Sequence, residues 1–208
     1  MSAPLLIEFC IVEVGQSDWF YSIFSAMKKH DALIIGAGSA GLGMIGLCQE
    51  LDWSFLVVEK EAANVGGDCL NFGCVPSKAL IHLGKQFKGA RKAAAFGLEV
   101  NGKADMSKIL DYVHSKQEPI RAHESEDYLR SEGVELAIGE AHFVGSHTIE
   151  VNGDHYEANK IFICTGSHPR MFQFEGLDQV EYYTNETIFY DMKTLPDRLL
   201  VVGGGPIG

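Results

Sequence analysis

The chain has 208 residues, of which 46% are apolar and 22% are charged, so it is long enough to bury a sizeable core and has a globular composition. Its formal net charge of -11 excludes a surface that binds nucleic acid or an anionic membrane, because like charges repel. The cysteines are odd in number and scattered, unlike a secreted disulfide framework: Cys10, Cys48, Cys69, Cys74 and Cys164.

Residues 1–29 form an N-terminal extension to which no function is assigned. They lack the early positive charge and cleavage site of a signal peptide, and acidic residues interrupt them too often for a membrane-spanning helix. We therefore expect no membrane association and a cytoplasmic location.

Residues 31–60 predict a strand, a helix and a second strand. A short apolar run at Ala32–Ile35 is typical of a buried strand, and small residues then continue as a helix to about Glu50. A second apolar run, Phe55–Val58, ends at Glu59. Together these segments have the length of one βαβ unit.

Three glycines between the first strand and the helix have the spacing of a dinucleotide-binding fingerprint. Gly36 permits a tight turn, Gly38 lets the backbone approach a pyrophosphate, and Gly41 lets the helix pack closely on the strand. The free N–H groups of the helix N-terminus favour phosphates, and the Glu59 carboxylate is placed to accept hydrogen bonds from a ribose. With both strands and the acid present, the pattern predicts dinucleotide binding.

The following segments predict two helical regions and then short strands. A helix is expected from Pro76 to about Ala95, and a second helical stretch from Ser107 to Arg130, broken or bent around Pro119. Residues 134–163 change to strand-like runs, with a hairpin turn at 152–154 and a buried strand at 160–164.

Cys69 and Cys74 are separated by four residues and follow the glycine pair at 66–67, and they admit three interpretations. A zinc site usually shows a second close pair of cysteines or histidines, which this sequence lacks. A structural disulfide is rare inside cells, and one that closes so short a loop adds little stability. A redox-active pair is favoured, because Cys74 opens a predicted helix and Lys78 follows one turn later, and both features favour the thiolate.

The remaining cysteines and several histidines are predicted to be structural or incidental. Cys48 lies on a predicted helix and Cys164 on a predicted strand. His142, His147 and His168 are predicted to be surface or turn residues, and no metal ligand set is assigned.

The C-terminal stretch "LPDRLLVVGGGPIG" predicts a second fingerprint. Leu199–Val202 is an apolar run, and Gly203, Gly205 and Gly208 repeat the first glycine spacing. A glycine-rich tail is the alternative, but an apolar strand would then have no role in a sheet. We expect the N-terminal portion of a protein with two dinucleotide sites, in which the apolar face of this last strand is exposed or frayed.

The sequence resembles the class I pyridine nucleotide–disulfide oxidoreductases, a family of flavoproteins. The resemblance covers residues 31–208 and rests on the first fingerprint with Glu59, "GGDCLNFGCVPSK" at 66–78, "ICTGSHP" at 163–169 and "VVGGGPIG" at 201–208. It implies an α/β fold: a Rossmann-like FAD-binding domain at 30–195, three-layered with a small antiparallel β-meander, and the start of a second, NAD(P)-binding Rossmann-like domain at 196–208.

The resemblance also implies roles for individual residues. Cys74 corresponds to the thiol that contacts the flavin, Cys69 to the thiol that exchanges with substrate, and Lys78 to a lysine near the reactive edge of the flavin. Asp68 stands where threonine is commonest in the family. The implied cofactor-binding residues are Gly36, Gly38, Ser39, Ala40, Gly41, Glu59, Lys60, Gly66, Gly67, Asp68, Ala141, Thr165 and Gly166 for FAD, and Gly203, Gly205 and Gly208 for NAD(P)H.

The implied function is FAD-dependent NAD(P)H:disulfide oxidoreduction, similar to that of dihydrolipoyl dehydrogenase or mercuric reductase. The expected substrate is a disulfide or a thiol-reactive small molecule, and the full-length parent is expected to be a homodimer. The alternative is an FAD-binding fragment or scaffold without turnover, and these 208 residues alone are expected to be inactive.

Overall fold

The computed structural model describes residues 28–171, 173–205 and 207–208. The predicted N-terminal extension therefore lies, except for its last two residues, outside the described residues, as does Cys10. The strands of the described part are β1 (Lys28–Ile35), β2 (Phe55–Glu59), β3 (Glu135–Ile138), β4 (His142–Gly145), β5 (Thr148–Val151) and β6 (Asp154–Ile163). Its α-helices are α1 (Ser39–Glu50), α2 (Gly67–Asn71), α3 (Cys74–Ala93), α4 (Met106–Arg121), α5 (Glu126–Ser131) and α6 (Ile188–Asp191).

The strands form one sheet in the order β3-β2-β1-β6-β5-β4. β1 pairs in parallel with β2 and β6, and β2 pairs in parallel with β3. The strands β4, β5 and β6 form an antiparallel meander. The central strand β1 is buried on both faces, which explains its unbroken apolar run.

Alternate residues of β1 and β2 face two different cores. On one face Ala32, Ile34 and Val57 pack against Ile45 and Cys48 of α1. On the other face, the alternating residues of β1 and β2 pack against side chains of β5 and β6. This second cluster consists of Leu33, Ile35, Leu56, Val58, Ile149, Val151, Tyr156 and Ala158. The antiparallel meander that the resemblance implied is therefore present, as a continuation of the same six-stranded sheet.

The hairpin between β5 and β6 confirms the turn predicted at residues 152–154. Asn152 and Gly153 both have positive φ, 55° and 89°, as the tight turn requires. The Asn152 side chain donates a 2.8 Å hydrogen bond to the Ile138 carbonyl, so the turn is also tied to β3.

The helical region is confirmed, but its predicted break lies too early. Pro119 is inside α4, which continues to Arg121. The proline falls in the last turn, where it removes one helical hydrogen bond close to the natural end of the helix. The break comes at residues 122–125, where the Ser125 hydroxyl accepts a hydrogen bond from the Tyr128 N–H and starts α5.

The strand predicted at Leu199–Val202 is not formed in the described structure, because the segment has no sheet neighbours there, whereas the predicted exposure of its apolar side chains is confirmed. Leu200 is 86% exposed and Val202 is 71% exposed. Within the described ranges, we find no helix of the length and apolar character that a membrane crossing needs.

Candidate functional site

The carboxyl ends of β1, β2 and β6 meet at one edge of the sheet and bring the predicted residues together. Gly36 follows β1, and its N–H donates a 2.7 Å hydrogen bond to the Val58 carbonyl of β2. The Cys164 N–H, just after β6, donates a 2.7 Å hydrogen bond to the Ile35 carbonyl. Thr165 and Gly166 are therefore next to the fingerprint turn, and both are exposed. Ligands of open α/β sheets bind at such carboxyl edges.

The fingerprint turn is too crowded for side chains at two of its glycines. Gly36 has φ +106°, and a Cβ there would lie 2.3 Å from the Cys164 carbonyl oxygen. A Cβ on Gly41 would lie 1.9 Å from the Gly36 carbonyl oxygen and 3.4 Å from Cγ2 of Ile34. These contacts bring the start of α1 directly onto β1.

The third fingerprint glycine faces the glycine pair before the cysteines. A Cβ on Gly67 would lie 2.6 Å from the Cα of Gly38, and the Gly66 N–H donates a 2.9 Å hydrogen bond to the Ala37 carbonyl. The start of α1, at Ser39 and Ala40, has no acidic residue in its first turn and no side-chain cap from the described residues. Its free N–H groups therefore form a surface suited to an anion.

The Glu59 carboxylate is held inside this turn at the end of β2. Glu59 is 9% exposed and accepts hydrogen bonds from the N–H groups of Ala37, at 2.8 Å, and Glu61, at 3.3 Å. The next residue, Lys60, forms a 3.6 Å ion pair with Glu140. Ala141 follows and is half-buried, so Lys60 and Ala141 extend the same edge towards β3 and β4.

Cys69 and Cys74 are brought together by two consecutive helices. Cys69 lies in α2, Cys74 is the first residue of α3, and both are free thiols. The chain folds back tightly at Gly73, where a Cβ would lie 2.9 Å from the Asp68 carbonyl oxygen. The predicted start of a helix at Cys74 is confirmed.

The thiols of Cys69 and Cys74 interact with each other, and this interaction affects the pKa of Cys69. The pKa of the Cys69 thiol is raised, first by its hydrogen bond with Cys74 and then by burial, while the Ser39 hydroxyl lowers it. Cys69 is half-buried and Cys74 is exposed. The two thiols are therefore close to each other, as the formation of a disulfide between them requires.

The other residues predicted around the pair are exposed. Lys78 lies on α3 one turn after Cys74, and Asp68 lies in the first turn of α2. A carboxylate in the first turn of a helix interacts favourably with the positive end of the helix dipole. Asp68 therefore contributes to the stability of α2.

The second glycine fingerprint repeats the geometry of the first. Gly203 has φ +120°, and a Cβ on Gly208 would lie 2.3 Å from the Gly203 carbonyl oxygen and 3.5 Å from Cγ1 of Val201. These contacts correspond to those of Gly41 with Gly36 and Ile34 in the first turn. Gly205 is exposed.

Sequence reasoning missed a set of polar side chains that contact the redox segment from α4 and α6. These residues are Gln117 and Arg121 of α4 and Tyr190 of α6, and all three bind Asn71 within the redox segment. A signal was present for Gln117, which lies four positions after the buried Val113 and continues the apolar face of α4. A polar residue on such a face needs a partner.

Glu124 was also missed, and no local pattern marks it. Its Oε2 lies 3.0 Å from the position of a Cβ on Gly66. Burial raises the pKa of the Glu124 carboxyl, and its charge is one of the smaller causes that raise the pKa of Cys69. Glu124 therefore contributes to the electrostatics of the site.

The residues predicted to be structural or incidental behave as expected. Cys48 is buried and Cys164 half-buried, and burial raises the pKa of both thiols, which makes them less reactive. His142, His147 and His168 are all exposed.

Comparison with known proteins assigns the chain to a family. A family model described as pyridine nucleotide-disulphide oxidoreductase matches residues 30–208. The chain is 33% identical to a mercuric reductase of Lysinibacillus sphaericus over 181 residues, covering 86% of this chain and 33% of that protein. It is 34% identical to a dihydrolipoyl dehydrogenase of Thermus scotoductus over 182 residues, covering 88% of this chain and 39% of that protein.

A solved structure has the same fold. It is the Cu(II) complex of RclA, a HOCl-induced flavoprotein disulfide reductase of Escherichia coli, with a TM-score of 0.61 and 22% identity over 76% of this chain and 33% of that one. The chain thus spans about a third of the length of these proteins. The matched residues include both fingerprints and the cysteine motif, so the chain belongs to the pyridine nucleotide-disulphide oxidoreductase family.

Proposed function

We propose that this chain is the part of an FAD-dependent NAD(P)H:disulfide oxidoreductase that binds FAD and carries the redox-active pair Cys69–Cys74. The observation that carries the proposal is the position of the two thiols, in α2 and at the first residue of α3, beside the glycine pair that contacts the fingerprint turn. Electron transfer to a disulfide needs a flavin site and a dithiol next to each other.

The residues at the carboxyl edge of the sheet fit FAD. The mutual approach of Gly38 and Gly67 leaves a backbone surface without side chains, and the start of α1 offers N–H groups to a pyrophosphate. Glu59 is fixed at the end of β2, where it is placed to accept hydrogen bonds from a ribose. Thr165 and Gly166 border the same edge, on the side of β6.

Bound FAD would supply the capacity to take two electrons from a reduced nicotinamide and deliver them to the cysteine pair. Those two electrons and two protons break the Cys69–Cys74 bond and give two thiols. The Cys69 thiolate then attacks one sulfur of an acceptor disulfide, forms a mixed disulfide and releases one thiol of the acceptor. The Cys74 thiolate attacks the Cys69 sulfur, releases the second thiol and restores the internal bond.

The pKa of Cys69 is raised by its hydrogen bond to Cys74 and by burial, so this thiol must lose its proton before it attacks the acceptor. The position of Cys74 supports its role as the thiol beside the flavin. Cys74 lies at the N-terminus of α3, where the helix dipole favours an anion, and Lys78 adds a positive charge one turn later.

The second fingerprint supports the nicotinamide part of the proposal. Its Gly203–Gly208 contact reproduces the contact that packs helix on strand in the first fingerprint. The boundary near residue 195, the homodimer and the cytoplasmic location stay predictions. The acceptor is proposed as a disulfide or a thiol-reactive species such as the mercuric ion, since relatives include both mercuric reductases and dihydrolipoyl dehydrogenases.

The experiment compares this chain with the longest product of its gene. Both are purified, their flavin is quantified, and NADH and NADPH oxidation is followed with a disulfide acceptor and with mercuric ion. We expect FAD in the purified protein and acceptor-dependent oxidation by the longest product, lost in its Cys69→Ser and Cys74→Ser variants. Flavin binding without turnover in that product would instead establish the scaffold alternative.

A further inference from the structure

A group of polar side chains, two buried and two half-buried, holds the segment between the two cysteines. We call Asn71, Gln117, Arg121 and Tyr190 the amide cluster, since two of its four members are side-chain amides. Asn71 is 2% exposed and Gln117 is 1% exposed. Amides buried to this extent are costly unless they are hydrogen-bonded, so their partners indicate what the cluster fixes.

Gln117 reaches from α4 to the end of α2. Its Nε2 donates hydrogen bonds to the carbonyls of Leu70, at 2.8 Å, and Asn71, at 3.1 Å. The Tyr190 hydroxyl donates a further 3.1 Å hydrogen bond to the Asn71 carbonyl. The last carbonyls of a helix have no partner within that helix. Gln117 and Tyr190 therefore cap α2 from outside, between Cys69 and Cys74.

Arg121 sets the orientation of the Asn71 side chain. Its Nη2 donates a 2.9 Å hydrogen bond to Asn71 Oδ1, and a guanidinium can only donate. The other end of the amide, Nδ2, therefore faces two carbonyls and donates to Gly67, at 3.0 Å, and Val65, at 3.3 Å. These carbonyls flank Gly66, so the cluster also fixes the glycine turn before Cys69.

We propose that Gln117 and Arg121 are positioning residues that hold the Cys69 segment in register with Cys74, an inference that rests on the redox function proposed above. A disulfide forms only when the two Cβ atoms are correctly separated and directed. When the cluster holds the intervening segment, the two thiols remain near that geometry in the reduced state. Without it, the dithiol gains conformational freedom and the disulfide becomes easier to reduce.

The test measures the equilibrium of the pair and not the activity. The purified chain is equilibrated in glutathione buffers of defined ratio, quenched with acid, alkylated and cleaved with trypsin. Cleavage after Lys60 and Lys78 places both cysteines in one peptide, residues 61–78, so mass spectrometry gives the oxidised fraction directly. Thermal unfolding is recorded for every variant.

The variants separate positioning from stability. Gln117→Leu removes the donor at similar size, Arg121→Met removes the guanidinium, and Arg121→Lys keeps a donor. Val113→Ala is the matched control, since it truncates a fully buried side chain one turn earlier on α4 that packs with Ala79 and Phe189, outside residues 69–74. If Gln117→Leu does not fold, the partly exposed Arg121 provides the same test.

We expect Gln117→Leu and Arg121→Met to shift the glutathione midpoint towards the dithiol by about five- to tenfold, the effect of losing one or two hydrogen bonds. Arg121→Lys should remain near wild type, and Val113→Ala should lower the unfolding temperature without moving the midpoint. Equal midpoints in all variants would overturn the positioning role while leaving the redox pair intact. A wild-type peptide that never oxidises would overturn the proposed function as well.

Discussion

Gly41 packs so closely on Gly36 that a Cβ on Gly41 would lie 1.9 Å from the Gly36 carbonyl oxygen. The obstacle is backbone at the start of the central βαβ unit, so it cannot move aside as a flexible side chain would. The contact joins the first helix to the central strand, and it therefore determines where the helix N-terminus is presented.

Gly41→Ala should destabilise the fold, because the added methyl forces α1 away from β1. We expect a loss of about 1–3 kcal/mol, whereas Gly43→Ala on the same helix should gain roughly 0.5–1 kcal/mol. Within the described part of the chain, a Cβ on Gly43 meets no atom within 4 Å. Urea unfolding of both variants measures the difference, and equal stabilities would mean that the close contact is not present in solution.

Gly38→Val should lower the flavin content of the purified protein. Its side chain would enter the space between Gly38 and Gly67, where the proposed pyrophosphate approaches the backbone. Gly46→Val is the control, since in the described structure a Cβ at that position meets no atom within 4 Å. The ratio of flavin to protein absorbance is the measurement. An unchanged ratio in Gly38→Val would argue against the FAD assignment of this turn.

The reactivity of Cys69 should change in opposite directions in two variants. Cys74→Ala removes the largest cause that raises the pKa of Cys69, so that pKa should fall. Ser39→Ala removes a hydroxyl that lowers it, so the pKa should rise. The pH dependence of iodoacetamide alkylation, followed on the peptide 61–78 of the reduced chain, reports both shifts. Shifts of the same sign would show that the sulfur–sulfur hydrogen bond is not present.

Glu124 should make the fold less stable as the pH rises. Burial raises the pKa of its carboxyl, so the folded state keeps a proton that the unfolded chain has lost. Between the ordinary glutamate value, about 4.3, and the raised folded-state value, the free energy of unfolding therefore decreases with pH from this group. Below that window both states are protonated and the contribution is fully present.

Glu124→Gln removes this dependence, so its free energy of unfolding should fall less than that of the wild type as the pH rises from the ordinary glutamate pKa through the raised pKa of Glu124. Glu118→Gln, at an exposed carboxylate on α4, serves as the control. Urea unfolding at several pH values gives the two curves, and other titrating groups cancel in the comparison. Parallel curves for Glu124→Gln and the wild type would contradict the buried-carboxyl account.

The parts of the fold that follow from neighbouring residues were predictable from the sequence. The first βαβ unit follows from an apolar run, a glycine spacing and a second apolar run, which all act over a few residues. The hairpin at 152–154 and the helix start at Cys74 have equally local causes. In the amide cluster, by contrast, Gln117 contacts Leu70 across 47 positions, and only the packing of α4 on α2 brings them together.

The helix end near Pro119 shows a different limit of sequence reasoning. A proline predicts a break, but its cost depends on how many helical hydrogen bonds remain after it. Only two residues of α4 follow Pro119, so the helix continues through it, and the capping residue Ser125 determines where α5 begins. Glu124 lies in the connection between α4 and α5, so its short distance to Gly66 also depends on where α4 ends.

The most direct test of the redox pair is the absorbance spectrum of the flavin-loaded protein in two single variants. Cys69→Ser leaves Cys74 as an unpaired thiol at the start of α3, and we predict a long-wavelength thiolate–flavin band in its spectrum. Cys74→Ser leaves only Cys69, and we predict no such band. A band in neither variant, or a band of equal strength in both, would contradict the assignment of Cys74 as the thiol beside the flavin.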